Sequence, residues 1–187
     1  QETADDLEAY GEVSIAFTAD SRFRVEWLER GIGGVRLIEE PLEAPRLIDF
    51  DADKGVGPVR WHRFGDIGHW GFFAAYVEGR RAGGATVSYD TPGYGMLEGR
   101  TDLANLTDIR VDPKLRHQGV GAALFRHAVT WLQASAECRR LKIETQNTNP
   151  RACRFYAAQG ARLGGIQPLD ESPDEFELDL FWYLELG

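Results

Sequence analysis

The stretch Leu106–Ala123, LTDIRVDPKLRHQGVGAA, decides how the fold is interpreted. It reads as a strand, a short loop and the first turn of a helix. At the junction of loop and helix, Gly119 and Gly121 let the backbone pass close to a ligand without a Cβ in the way. The first amides of the following helix lack intrahelical partners, and the positive end of the helix dipole lies behind them. The stretch therefore predicts a binding site for a phosphate or pyrophosphate.

The glycine pair is not specific by itself. A dinucleotide-binding fingerprint needs a third glycine, but the residues after Gly121 are Ala122, Ala123 and Leu124. A P-loop ends in Gly-Lys-Ser/Thr, which does not occur in the sequence. A tight loop whose glycines serve only packing is the alternative interpretation.

Length and composition limit the class of protein. The 187 residues suffice for one domain with a sizeable core, and 43% hydrophobic with 27% charged residues is typical of a soluble globular chain. No apolar run approaches the length of a membrane span. The acidic, polar beginning, QETADDLEAYGE, does not have the pattern of a secretory signal.

The net charge of −9 disfavours binding to nucleic acids and anionic membranes, because like charges repel. A cationic small molecule or a peptide amine is the expected partner, although an acidic surface also serves solubility alone. The two cysteines, Cys138 and Cys153, match no metal-binding or redox spacing. We therefore expect no metal site and a reducing, cytoplasmic location, and we leave a homodimer open.

Hydrophobic periodicity, turn residues and helix caps predict a chain of the α/β (α+β) class. One expected helix covers 118–137, and a second covers 150–159, starting after the capping pair Asn149–Pro150 and stopping at Gly160. The acidic, proline-bearing segments 39–57 and 167–174 are interpreted as connections. The expected strands are 12–18, 23–27, 35–38, 69–77, 84–89, 104–111, 141–145, 162–166 and 175–185.

The order of these elements predicts a mixed central β-sheet with helices on both faces. Strands 69–77 and 84–89 give the clearest hairpin signal, with the turn EGRRAG between them. The strand–helix–strand unit from 104 to 145 requires a parallel pair with a right-handed crossover. The face of the 118–137 helix that packs on the sheet should carry Val120, Ala123, Leu124, Ala128 and Trp131.

Two segments together resemble the GNAT acyltransferase superfamily. Val111–Leu124, VDPKLRHQGVGAAL, is similar to its coenzyme A pyrophosphate loop, Arg/Gln-x-x-Gly-x-Gly/Ala. Asn149–Ala161, NPRACRFYAAQGA, is similar to its second signature, Asn-x-x-Ala-x-x-Phe-Tyr-x-x-x-Gly-Phe, with Ala161 in place of the phenylalanine. The run Ile143–Asn149, IETQNTN, is more particularly similar to streptothricin acetyltransferases, which modify antibiotics. The resemblance covers 103–166, whereas the first hundred residues match no family that we can name.

The resemblance implies a single acetyltransferase domain over 1–187 that uses acetyl-CoA. It would have acceptor-side elements in 1–103, a cofactor-binding core in 104–166 and a final strand in 167–187. The pantetheine amides would pair with the strand edge at Ile109, Arg110 and Val111. The diphosphate would meet the loop and helix start, with Arg116 as its charged neighbour and His117 solvated. This second group of cofactor residues comprises Arg116, His117, Gln118, Gly119, Val120, Gly121 and Ala122.

Acetyl transfer to an amine needs both a base and an acid. The amine, with a pKa of about 10.4, must lose a proton at a cost of roughly 4–5 kcal/mol at pH 7, and the departing thiolate must gain one. Tyr156 is the candidate acid, because a phenol within hydrogen-bonding distance can protonate a thiolate. Helical spacing puts Asn149, Ala152, Cys153 and Tyr156 on one face, towards the cofactor, with Phe155 towards the core. Alternatively, Asn149 is only an N-cap and Tyr156 a core residue.

Asp108 and Glu144 are the candidate bases. Strand alternation puts Leu106, Asp108 and Arg110 on one face, and Glu144 faces opposite to Ile143 on the next strand. The two carboxylates would flank an incoming cationic amine, one as base and one as anchor. Either could instead be a surface or ion-paired carboxylate, and a water-relayed base is frequent in the family that the sequence resembles.

These observations predict an acetyl-CoA-dependent N-acetyltransferase for a small cationic amine, such as an antibiotic or a polyamine. The alternatives are a protein or peptide N-acetyltransferase and a CoA-binding sensor module without turnover. Aromatic residues that could line an acceptor pocket are Trp61, Trp70, Phe72 and Tyr94, with negative charge from Asp49, Asp51 and Asp53. At such density aromatic residues more often form a core, which is the alternative interpretation of this group.

Overall fold

The strands in the part of the chain that the structure describes form a mixed six-stranded sheet and a two-stranded hairpin. The computed structural model describes residues 1–52, 57–134, 137–169 and 177–187. The strands are β1 (Phe17–Trp27), β2 (Val35–Ile48), β3 (Gly71–Val77), β4 (Arg80–Ser88), β5 (Leu103–Val111), β6 (Arg140–Gln146), β7 (Arg162–Pro168) and β8 (Leu178–Glu185). The α-helices are α1 (Leu7–Gly11), α2 (Val120–Gln133) and α3 (Pro150–Ala158).

The sheet has the strand order β3-β4-β5-β6-β8-β7. β5 and β6 run parallel, as the strand–helix–strand order predicts, whereas β3–β4, β4–β5 and β7–β8 are antiparallel. The predicted mixed sheet is therefore confirmed. The chain forms two compact units: the first contains 1–16, 49–143 and 184–187, and the second contains 17–48 and 144–183.

The first unit is built on the β3–β4 hairpin and on α2, which packs on β3, β4 and β5. Glu78 and Gly79 form the hairpin turn with φ of 51° and 78°, the positive values that a two-residue type I′ turn requires. The turn is shorter than predicted because β4 already begins at Arg80. The predicted packing face of α2 is right for Leu124 and Ala128 but wrong for Ala123, which is exposed. The buried residues of α2 are Leu124, Phe125, Ala128 and Leu132.

α2 begins two residues later than predicted. His117 and Gly119 have φ of 62° and 86°, in the left-handed region that an α-helix does not include. Val120 is therefore the first helical residue, and the helix ends at Gln133 rather than at Glu137. Residues 135–136, which the predicted helix also covered, lie outside the described part of the chain.

The hairpin β1–β2 belongs to the second unit and was not predicted as such. The segment 39–57 was interpreted as a connection, which is wrong up to Ile48 because β2 continues to that residue and pairs with β1. β1 is one strand from Phe17, so the predicted strand 12–18 starts too early and joins the predicted strand 23–27.

Two features explain why this charged, proline-bearing segment is a strand. The pairing passes from Ser21↔Pro41 to Ala19↔Arg46, so β2 bulges over 42–45. Pro41 borders this bulge and Pro45 lies within it, where a missing N–H removes no regular ladder bond. Opposite charges also face each other across the two strands, as in the ion pair of Arg24 with Glu40 at 2.5 Å.

The remaining elements of the second unit follow the predictions closely. α3 starts after Asn149 and ends at Ala158, and Gly160 has the positive φ of 92° typical of a helix C-terminus. β7 extends two residues beyond the predicted 162–166. Residues 170–176, which include most of the predicted connection 167–174 and the predicted start of the last strand, lie outside the described residues.

The aromatic residues proposed for an acceptor pocket form a core instead. Trp61, Trp70 and Phe72 are at most 4% exposed and pack with Leu7, Tyr10 and Ile67. Tyr94 packs against this cluster with part of its side chain exposed. These aromatic residues are therefore core residues, as the alternative interpretation holds. Asp53, which was proposed to add negative charge to the acceptor pocket, lies outside the described residues.

The described ranges contain no helix that combines the length and the apolar character needed to cross a bilayer. In the same ranges, no three His, Cys, Asp or Glu side chains are grouped so that they could hold a metal ion. Cys138 and Cys153 are both free and buried.

Candidate active site

The loop before α2 is fixed by its own side chains. Asp112 accepts a hydrogen bond of 2.8 Å from the amide of Lys114 and so caps the 3-10 turn Pro113–Leu115. The guanidinium of Arg116 donates to the carbonyls of Val111 at 3.0 Å and Ala16 at 2.9 Å. These contacts give Arg116 a structural function in addition to its proposed contact with an anion.

The N-terminus of α2 is open. Gly119 is the N-cap residue with a φ of 86°, and no side chain among the described residues caps it. The amide of Ala123 makes the first intrahelical bond, to the carbonyl of Gly119 at 2.9 Å. The amides of Val120, Gly121 and Ala122 therefore have no intrahelical acceptor, and the helix dipole adds a partial positive charge at the same point. This geometry is the one that the glycine pair predicts for binding an anion.

The other predicted cofactor residues lie on the second half of β5. β6 pairs with β5 from Leu103 to Leu106, so the later residues of β5 have a ladder only with β4 among the described pairs. Asp112 donates its amide to the carbonyl of Ala82 at 2.8 Å, and alternation along the strand then turns the backbone of Arg110 towards β4. The backbones of Ile109 and Val111 face the opposite edge, where the carbonyl of Val111 accepts from Arg116. The other backbone groups of these two residues have the position needed to pair with an extended amide-bearing ligand.

A bulge interrupts β5 between Leu106 and Asp108. Asp108 pairs with Thr86, but Leu106 pairs with the adjacent Val87, so Thr107 is the extra residue. The predicted alternation of Leu106 with Asp108 therefore does not hold across this point. Asp108 and Arg110 do share a face, since their side chains are in direct contact.

Asp108 is part of a buried charged network. Its Oδ1 accepts hydrogen bonds from the phenol of Tyr10 at 2.7 Å and from Nε of Arg110 at 3.0 Å. Its Oδ2 accepts from Nη2 of Arg110 at 2.7 Å, and the same guanidinium forms an ion pair with Asp51 at 2.9 Å. The side chain of Arg110 is 2% exposed and donates further to the carbonyl of Val13 at 3.0 Å. The side chain of Arg110 is thus used inside the protein. The sequence assigned the backbone of Arg110 to the pantetheine, but that backbone faces β4.

The network alters the titration of Tyr10 and Arg110. Burial raises the pKa of Tyr10 well above its usual range, and the negative charge of Asp108 raises it further. For Arg110, burial acts to lower the pKa, but the hydrogen bonds and charge of Asp108 outweigh it and leave the pKa above its ordinary value. The phenol therefore stays protonated and the guanidinium stays charged at neutral pH.

Glu144, the second candidate base, has different surroundings in the second unit. Its side chain is half-buried on β6 and accepts a long hydrogen bond of 3.5 Å from the side-chain amide of Gln146. Gln146 donates more closely to Asp179, at 3.0 Å. Glu144 therefore lies in a polar, acidic part of the sheet.

α3 carries the remaining predicted residues. The side chain of Asn149 accepts a hydrogen bond of 3.1 Å from the amide of Ala152, so its N-cap function is confirmed. Tyr156 is 6% exposed and its ring lies 5.3 Å from that of Phe155, which is only half-buried. Burial raises the pKa of Cys153 to about 12, so this residue is a neutral thiol at pH 7 and not a nucleophile.

Sequence reasoning did not identify Tyr10, and it assigned Asp51 to the charge of an acceptor pocket, whereas the structure pairs Asp51 with Arg110. Tyr10 lies 98 residues from Asp108, and Asp51 lies 59 residues from Arg110. No local pattern joins residues so far apart; only the adjacency of Asp108 and Arg110 on one strand face hinted at an ion pair.

Comparison with known proteins agrees with this geometry. The model of the Acetyltransferase (GNAT) family matches residues 36–161, which include β5, the loop, α2, β6 and α3. Streptothricin acetyltransferase A of Bacillus subtilis (strain 168) is 32% identical over 113 residues, which is 59% of this chain and 60% of that protein. The chain thus spans less than two thirds of the length of this relative.

Two solved structures share the fold over nearly the whole chain. Nourseothricin acetyltransferase has a TM-score of 0.73 and 26% identity, covering 100% of this chain and 96% of its own. A protein of Bacillus anthracis str. Ames in complex with acetyl coenzyme A has a TM-score of 0.75 and 21% identity, covering 99% and 96%. With the open helix N-terminus and a family match over two thirds of its residues, this chain belongs to the GNAT acetyltransferase family.

Proposed function

We propose that this protein transfers the acetyl group of acetyl-CoA to a primary amine of a small cationic antibiotic of the streptothricin class. The observation that carries this proposal is the open N-terminus of α2 after Gly119, within the segment that matches the family. The name of the Bacillus subtilis relative supports the antibiotic acceptor, and the net charge of −9 favours a cationic one.

The described residues fit coenzyme A. The amides of Val120, Gly121 and Ala122 would hold the diphosphate, and the outward edge at Ile109 and Val111 would pair with the pantetheine amides. Bound acetyl-CoA would supply the acetyl group as a thioester, an activated acyl donor with a thiolate as leaving group. The protein must then accept a proton from the amine and donate one to the thiolate.

We assign the donor function to Tyr156 and the acceptor function to Glu144. Tyr156 is a buried phenol on the helix that begins at Asn149, and a phenol keeps its proton at neutral pH until a thiolate develops beside it. Glu144 is a half-buried carboxylate on β6, the strand that runs parallel to β5, and a carboxylate can take the proton of an amine. Asp108 was the alternative base, but three hydrogen bonds from Tyr10 and Arg110 already occupy its oxygens.

The test is an assay of free-thiol release from acetyl-CoA with streptothricin, a polyamine and an alanine-terminated peptide as acceptors. The proposal expects turnover with streptothricin at a kcat/KM at least about tenfold above that with the peptide. Preference for the peptide would favour a protein N-acetyltransferase, and binding of acetyl-CoA without turnover would favour a sensor module. We also propose a cytoplasmic location, in keeping with two free, buried thiols, and a homodimer stays a prediction.

A further inference from the structure

The second unit contains a cavity of about 200 Å³ beside the start of α3. Its walls are Phe17–Ser21 of β1, Glu39 of β2, and Thr148–Arg151 with Arg154 at the beginning of α3. Because Asn149 lies in the wall, the cavity borders the helix face to which cofactor contacts are assigned. The cavity is formed where the hairpin β1–β2 packs near α3. Because these segments are far apart in sequence, no sequence motif predicts the cavity.

The helix end in this cavity differs from the open end of α2. The side-chain oxygen of Asn149 accepts a hydrogen bond from the backbone amide of Ala152. The backbone carbonyl of Asn149 accepts another from the backbone amide of Cys153 at 3.2 Å. Pro150 has no N–H to offer. The first turn of α3 is therefore largely closed to an anion, and the polar character of the cavity depends on its side chains.

Several of those side chains are hydrogen-bond acceptors. The carboxylate of Glu39 accepts from the hydroxyl of Ser21 at 2.7 Å and from the guanidinium of Arg154. The hydrogen bond from Arg154 is the main cause that lowers the pKa of Glu39, and the hydrogen bond from Ser21 lowers it further. Glu39 is therefore charged at neutral pH. Thr148 is only 3% exposed and lines the cavity, and the hydrogen bonds described for this region include none from its hydroxyl. A threonine hydroxyl in a cavity wall can accept a hydrogen bond from a ligand or from water.

The two arginines at the rim of the cavity form exposed ion pairs that an incoming cation can replace. Arg151 pairs with Asp20 at 3.1 Å and Arg154 pairs with Glu39, but their side chains are 66% and 56% exposed. Exposed ion pairs of this kind contribute little to stability, so a cation that enters the cavity can replace a guanidinium. The carboxylate of Glu39 keeps a second partner when Arg154 is displaced, because Ser21 donates to it at 2.7 Å.

We propose that this cavity is the subsite that holds a protonated amine of the acceptor, with Glu39 as its counter-ion and the hydroxyl of Thr148 as a further acceptor. The inference rests on the proposed function and names the part of the protein that selects a cation. With about 200 Å³, the cavity accepts one amine-bearing end of a molecule rather than a whole drug-sized ligand, for which pockets are typically larger. The subsite would thus recognise the amine by its positive charge and by its N–H donors.

Steady-state kinetics with streptothricin and acetyl-CoA test the subsite. Glu39→Gln should raise the KM for streptothricin by about fivefold, with kcat and the KM for acetyl-CoA within about twofold of the unaltered protein. Thr148→Val, which keeps the shape and removes the hydroxyl, should raise the KM for streptothricin by about threefold. Glu39→Asp, which keeps the charge, should recover part of the loss.

Glu40→Gln is the matched control, because Glu40 is the neighbouring residue on β2 and forms an ion pair with Arg24 away from the cavity wall. It should leave all three kinetic constants unchanged. Equal effects of Glu39→Gln and Glu40→Gln would overturn the subsite, as would a rise in the KM for acetyl-CoA instead of that for streptothricin.

Calorimetric titration of streptothricin and of spermidine separates this inference from the proposed function. If the unaltered protein acetylates no amine, the proposed function fails, but tighter cation binding to the unaltered protein than to Glu39→Gln still supports the subsite. Turnover of streptothricin with the same KM in both proteins sustains the proposed function and refutes the subsite.

Discussion

The phenol of Tyr10 donates a hydrogen bond of 2.7 Å to Asp108, across 98 residues of sequence, and the ring of Tyr10 lies under the guanidinium of Arg110 at 5.1 Å. This arrangement ties the segment before β1 to the middle of β5. It also means that the first candidate base of the sequence is bonded to a permanently charged partner, which points to a structural function for Asp108.

Asp108→Asn should therefore act mainly on stability. It leaves the buried Arg110 with only the partly exposed Asp51 as a carboxylate partner, and breaking a buried pair costs about 3–5 kcal/mol. Urea unfolding measures this loss, and Asp51→Asn is the control, for which we expect about 1 kcal/mol. Unchanged stability together with a displaced pH–rate profile would instead restore Asp108 as the base.

The raised pKa of Tyr10 predicts a pH-dependent stability. The folded protein retains the phenolic proton at pH values where the unfolded chain, with a pKa of about 10, releases it. The stabilisation is fully present below pH 10 and is lost as the pH rises from there through the folded-state pKa. The free energy of unfolding of the unaltered protein should thus fall towards that of Tyr10→Phe between about pH 10 and 11. A constant difference between the two proteins over this range would contradict the pKa direction.

Tyr156→Phe should lower kcat by about ten- to a thousandfold with little change in the affinity for acetyl-CoA. The physical reason is that the phenol protonates the departing thiolate, a contact made during reaction and not on binding. Stopped-flow thiol release gives kcat, and calorimetry gives the affinity. An unaltered kcat would remove Tyr156 from the acid function.

Glu144→Gln should lower kcat/KM by about a hundredfold or more and remove the acidic limb of the pH–rate profile. Its half-buried carboxylate is the one proposed to take the proton of the amine. A profile measured from pH 5 to 9 checks this. If the acidic limb survives in Glu144→Gln, a bound water or Asp108 must serve as the base.

Local signals in the sequence predict much of this fold. The capping pair Asn149–Pro150 and the terminal Gly160 fix α3 to within a residue, and the apolar strands give the β3–β4 hairpin. The same signals fail where non-local pairing decides. β2 has charges and two prolines that read as a loop, and only its partner β1 makes it a strand.

The candidate site also has parts that local sequence predicts and parts that depend on distant segments. The glycines at 119 and 121 predict the open end of α2, because backbone freedom and helix polarity are local properties. The partners of Asp108 and the cavity at Glu39 depend on segments far apart in sequence, so no spacing rule reveals them. Even the helix start shifts by two residues, since Gly119 adopts a left-handed conformation that an α-helix does not include.

The most direct measurement of the central claim is the affinity for acetyl-CoA of Gly119→Glu, determined by calorimetry beside Gly34→Glu. Both glycines have positive φ, 86° and 85°, with no atom within 4 Å of an added Cβ, so backbone strain and added charge are matched. If the amides after Gly119 hold the diphosphate, Gly119→Glu should weaken binding by about a hundredfold or more, whereas Gly34→Glu should bind like the unaltered protein. Equal affinity of both variants would show that the diphosphate is bound elsewhere.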